Sequence, residues 1–103
     1  MNIDKKVREV LEKIGFRKET RKTWFKQYAP HFDVQLKYRV SIIEYSCENG
    51  QWIRTLPKLY IYLAFVEVYH TIEESKTLYK LTKKAFKDKE KIAKQLEGII
   101  EVI

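Results

Sequence analysis

A chain of 103 residues that is 45% hydrophobic and 14% aromatic can bury the core of one domain, 1–103, and its 34% charged residues do not make it a disordered chain. The net charge of +7 points to a polyanionic partner. The single Cys47 excludes an internal disulfide and suits a reducing cytoplasm, and no apolar run is long enough to span a membrane.

The first helix is expected at about 3–14. Ile3, Val7, Val10, Leu11 and Ile14 follow the helical apolar period. Asn2 is placed to cap it, and Asp4 sits where a carboxylate favours a helix N-terminus. Gly15 supplies the stop. The first ten residues read as charged helix rather than a secretion signal.

Arg17, Lys18, Arg21 and Lys22 follow, with Glu19 the only acid among them, and read as a basic connector. Lys26 extends that cluster, which as a loop would contact phosphate or simply be solvated. A first strand is expected from about 22 to 29, through Trp24, Phe25 and Tyr28, and broken by Ala29, Pro30 and His31. A second, long strand runs from Asp33 to about Cys47. Asn49-Gly50 then signals a tight hairpin, because both residues tolerate the positive φ of a type I′ turn.

A two-residue turn there pairs residues whose numbers sum to 99. Val34 then faces Phe65, Leu36 faces Leu63, Tyr38 faces Ile61 and Val40 faces Leu59 on the core side. On the other side Lys37 faces Tyr62, Arg39 faces Tyr60, Ser41 faces Lys58 and Gln35 faces Ala64. Pro57 cannot donate to a ladder, so a bulge is expected near 55–58.

The last helix is expected from Glu73 to about Glu97, opened by a capping box of Thr71 and Glu74. One flank carries Lys76, Lys80, Lys83, Lys84, Lys87, Lys91 and Lys94, with no carboxylate inside the stripe. Leu78, Leu81, Ala85, Ile92, Leu96 and Ile99 lie on the opposite side. Residues 99–103 either prolong the helix or form a short fourth strand. The fold class is therefore α+β in the order α-β-β-β-α: a three-stranded antiparallel meander with two helices on one face. That order resembles the double-stranded-RNA-binding domain and small toxin-like RNA-binding proteins. The former family places a Lys-Lys cluster at the start of its second helix, whereas Lys83, Lys84 and Lys87 lie in mid-helix, so no residue role is carried over.

No motif calls for catalysis, a metal or a cofactor. There is no CxxC, HxxxH or HExxH spacing and no glycine-rich phosphate loop. His31 and His70 stand apart in sequence, and Cys47 has no histidine near it. Glu44 and Glu48 share one face of the expected sheet while Asp33 points to the other, which disfavours a nuclease site.

The expected function is nucleic-acid binding, DNA or RNA, without catalysis. Phosphates would be met by Lys80, Lys84, Lys87 and Lys91 or by the Arg17, Lys18, Arg21 and Lys22 cluster, and bases or sugars by Lys37, Arg39, Tyr60 and Tyr62. The alternative is a protein-binding factor or inhibitor of viral or plasmid type, as a homodimer through the open sheet face. The wealth of Lys, Ile, Glu and Tyr fits a thermophile or an AT-rich genome equally well.

Overall fold

The computed structural model describes residues 3–31, 34–68 and 71–103. Asn2, Asp33 and His70, singled out above, lie outside them. The chain is α+β, with two helices and a mixed five-stranded sheet. The elements are α1 (Ile3–Ile14), β1 (Arg17–Thr20), β2 (Thr23–His31), β3 (Val34–Glu48), β4 (Gln51–Val68), α2 (Ile72–Gln95) and β5 (Glu101–Val102). The strands lie in the order β1-β2-β3-β4-β5; β5 alone is parallel to its neighbour, reached by the α2 crossover.

Three expectations are corrected. The basic connector is strand β1 and its turn, hairpinned onto β2. All four β1 residues are exposed, so burial imposes no apolar period on them. β2 does not end at Ala29 but continues to His31, with its register shifting past Tyr28. The tail takes the strand alternative, as a fifth strand rather than a fourth because β1 adds one, and is anchored by Ile103 N donating to Leu59 O at 2.8 Å and Ile61 N to Ile103 O at 3.2 Å.

Both helices pack on the same sheet face. Val7, Val10 and Leu11 of α1 and Ile92 of α2, with Leu96 just beyond it, join Trp24, Val40, Ile42 and Leu59 in one cluster. Leu81 and Ala85 cover Tyr28, Val34 and Leu36 in a second. Each fully buried aliphatic side chain contributes about 1.5–3 kcal/mol. Leu11→Ala would cost about 2–5 kcal/mol, because a wholly enclosed site collapses poorly around the gap. α1 ends where Gly15, at φ 106°, turns the chain so that its own N–H and that of Phe16 both reach Leu11 O, at 3.1 and 2.8 Å. The capping box at α2 is complete: Glu74 N donates to Thr71 Oγ1 at 3.1 Å, and Thr71 N donates to Glu74 Oε2 at 3.0 Å.

The β3–β4 hairpin turns at Asn49 (φ 51°) and Gly50 (φ 78°), as the type I′ signal requires. The sum-99 register holds only from Glu48–Gln51 to Tyr45–Arg54. Ile43 then pairs with Lys58, so β4 loops out two extra residues around Pro57, which has no N–H to give the ladder. A second bulge at Ala64 adds one more: Tyr38 pairs with Leu63 but Lys37 with Phe65. The observed core-side pairs are therefore Ile42–Leu59, Val40–Ile61, Tyr38–Leu63, Leu36–Val66 and Val34–Val68, not those expected. The first bulge adds two residues and so preserves which side chains face the helices; the second inverts it.

Candidate nucleic-acid interface

The residues singled out in the sequence fall on two opposite surfaces with the sheet between them. On the helix side, Lys76, Lys80, Lys83, Lys84, Lys87, Lys91 and Lys94 are all exposed along α2. At about 1.5 Å of rise per residue the stripe spans roughly 27 Å. None of the seven has a carboxylate within ion-pair distance among the described residues; Lys83 instead lies over the Tyr79 ring at 4.5 Å. Of the two acids between Lys87 and Lys91, Glu90 is exposed at the edge of the stripe, whereas Asp88 turns inward and is 7% exposed. It accepts hydrogen bonds from Lys26 Nζ at 2.8 Å and from the Tyr28 hydroxyl at 2.5 Å. Lys26 also donates to Ile14 O at 2.8 Å, the end of α1. Lys26 is therefore a structural tie between three elements and not part of a mobile basic loop.

The face without helices carries Arg17, Thr23, Phe25, Gln27, Lys37, Arg39, Ser41, Tyr60, Tyr62 and Phe65, as strand alternation from the buried set dictates. The expected cross-strand partners are replaced by Lys37–Phe65, Arg39–Tyr62, Ser41–Tyr60, Ile43–Lys58 and Gln35–Glu67. Basic groups still alternate with rings, and β2 adds Phe25 opposite Arg39. The Lys37 ammonium lies 4.6 Å from the Phe25 ring centroid. Ser41 Oγ and the Tyr62 hydroxyl are 3.2 Å apart.

Glu19 ties this face down. Its carboxylate is 3.0 Å from Arg39 Nε and 3.3 Å from Lys37 Nζ, one negative charge serving two cations. Desolvation pushes the Glu19 carboxyl up, but the Lys37 hydrogen bond, the Arg39 charge and their partners outweigh it and hold it below the ordinary 4.5. The hydrogen bond with Tyr62, followed by the Glu19 charge, keeps the Arg39 guanidinium more firmly charged.

The β1 cluster is divided. Arg17 shares the uncovered face as the partner of Phe25, whereas Lys18 pairs with Trp24 on the helix side and lies 5.6 Å from its ring centroid. Arg21 is exposed in the turn, and Lys22 is taken up by Glu44. Glu44 is further engaged by Arg54 at 3.3 Å. The Lys22 hydrogen bond first, and the charges of Lys22 and Arg54 after it, hold the Glu44 carboxyl below 4.5 against the opposing pull of desolvation.

Sequence reasoning missed Phe25, Phe65 and Glu19 as members of the uncovered face. The sequence places Phe65 in the core, because nothing in it announces the bulge at Ala64, and Glu19 in a loop, because β1 has no apolar pattern. Among the described residues no three His, Cys, Asp or Glu side chains gather as a metal cluster, and no helix is long and apolar enough to cross a membrane. No protein-family model, curated protein or solved structure matches the chain.

Proposed function

We propose that this protein binds nucleic acid without acting on it chemically, holding phosphates along the lysine flank of α2. The observation that carries the reading is the unpaired state of the stripe. Surface cations normally intersperse with acids at i, i+4. Here seven lysines stand exposed with no ion-pair partner among the described residues; of the two acids between Lys87 and Lys91, Asp88 is spent on Lys26 and Tyr28 and Glu90 lies at the edge of the row. A row of uncompensated ammonium groups releases counterions from a phosphate backbone, so binding weakens steeply with salt. Lys80, Lys84, Lys87 and Lys91 form the centre of the row and cover about 16 Å of helix. Fluorescence anisotropy with labelled single- and double-stranded DNA and RNA across a salt series tests it. Binding at low micromolar concentration with a steep negative slope is expected; no binding at low salt would remove the proposal.

A second reading within the same class rests on the uncovered face. Phe25, Tyr62 and Phe65 interleave with Arg39 and Lys37, the arrangement on which unpaired bases stack. It requires preference for single strands and loss of binding on Tyr62→Ala with Phe65→Ala. The Glu19 counter-ion makes it the weaker electrostatic site.

A further inference from the structure

Among the described residues no strand pairs with β4 past its junction with β5, where Ile61 N is taken by Ile103 O. From Tyr62 to Val68 the outer edge is bare. Of the usual guards against edge-to-edge pairing the segment has only the Ala64 bulge and one charge, Glu67; it has no lysine and no proline. Leu63 and Val66 point to the helix side, yet neither is covered. Beside them runs the flank of α2 that follows Leu78 around the helix toward β4, where Phe86 and Tyr79 stand exposed.

We infer that this edge is the interface of a homodimer, in which two β4 strands pair antiparallel about a two-fold axis between Ala64 and Phe65. Self-pairing is argued from register. Directly opposed residues must point to the same face of a sheet. A two-fold axis between adjacent residues of a regular strand violates this, because it opposes odd with even positions. The Ala64 bulge inverts the alternation at that point. Leu63 then meets the second copy's Val66 on the helix side, and Tyr62 meets its Glu67 on the open side, where the hydroxyl can donate to the carboxylate. The N–H and C=O groups of Leu63 face the free edge by alternation from Leu59 and Ile61, which bond β5, and those of Val66 do so because the Ala64 bulge inverts the alternation. They become a mutually bonded pair.

The area is adequate. Exposures of 40% for Tyr62, 51% for Leu63, 46% for Phe65, 44% for Val66, 62% for Tyr79 and 55% for Phe86 leave surface to bury. Whole aromatic side chains carry about 150–250 Å² each, so the six leave roughly 600 Å² per copy. Complete burial of the six in both copies would cover about 1,200 Å², so edge pairing reaches at most the lower bound of a stable interface and a dimer of modest affinity is expected. The uncovered sheet face is a poorer meeting surface, since two copies would oppose Lys37 and Arg39 to the same groups. Edge pairing leaves both lysine flanks exposed and is independent of whether they bind nucleic acid.

Sedimentation velocity of the full chain, free of nucleic acid, over a concentration series tests the inference. The expected species has twice the 12.5 kDa chain mass at high micromolar concentration. Val66→Lys and, separately, Leu63→Lys should each weaken the dimer at least tenfold, with an unchanged circular-dichroism spectrum showing that the chain still folds. Trp52→Ser, at the exposed hairpin end, should leave the dimer intact. A wild-type chain that stays monomeric overturns the inference. So does a dimer that survives both lysine variants, or one lost with Trp52→Ser alone.

Discussion

Lys26 and Asp88 meet across 2.8 Å although 62 residues separate them in sequence, and their contact joins β2 to α2 beneath the lysine flank. Their side chains are 22% and 10% exposed, so the pair is mostly withdrawn from water. Breaking a pair of this kind leaves a charge without compensation. Lys26→Met abandons the Asp88 carboxylate to the Tyr28 hydroxyl and also strips the donor from Ile14 O. It should cost about 3 kcal/mol. Asp88→Asn keeps an acceptor for Tyr28 and lets the lysine turn to solvent; about 1–2 kcal/mol is expected. Urea midpoints at constant m-value measure both. Costs below about 0.5 kcal/mol, the level of an ordinary surface change, would show that the tie carries no weight.

Gly15 sits against the same lysine. At φ 106° it occupies a region that side chains rarely adopt, and an added Cβ would come 3.3 Å from Lys26 Cε. Gly15→Ala therefore meets backbone strain and displaces the ammonium from Ile14 O. A loss of about 1–2 kcal/mol is expected, against the gain of about 0.4–1 that alanine gives where the backbone suits it. Thermal unfolding that leaves Tm unchanged or raised would refute the assignment.

Acid should loosen the β1–β2 turn and the base of the β3–β4 ribbon. Glu44 and Glu19 both titrate below 4.5 in the folded chain, the former through the Lys22 hydrogen bond and the latter through Lys37 and Arg39. A depressed carboxyl stabilises the fold above its unfolded value and loses that contribution as pH falls through its folded value. Tm should therefore drop from about pH 4.5 downward. Glu44→Gln should give a shallower drop and a lower plateau at neutral pH. Parallel Tm–pH curves for the two chains would contradict the ion pairs.

How far the sequence discloses this molecule depends on which residues burial disciplines. α1 is legible to the residue because Val7, Val10 and Leu11 must face the core and Gly15 must turn the chain. The Asn49-Gly50 turn and the Thr71 cap are legible because their chemistry is local. The hairpin register is legible only near its turn. Pro57 betrays one bulge without giving its size, and Ala64 gives no sign of the other. β1 is a wholly exposed edge strand, so nothing but its pairing with β2 distinguishes it from a loop. Asp88 reads as one more charge on a charged helix; its burial comes from Lys26 and Tyr28 on a distant strand.

The two candidate surfaces make different demands on salt dependence. Each phosphate neutralised contributes about 0.9 to the log–log slope on duplex DNA and about 0.7 on single strands. Replacing Lys80, Lys84 and Lys87 together by Gln should flatten the duplex slope by about 2–3 and weaken binding at every sequence alike. The lysines are exposed and unpaired, so the fold should be untouched. Lys37→Gln should change the slope little, because Glu19 already neutralises that side of the molecule. If instead Lys37→Gln or Tyr62→Ala abolishes binding while the triple variant keeps the wild-type slope, the ligand lies on the uncovered sheet and the α2 flank serves only solubility.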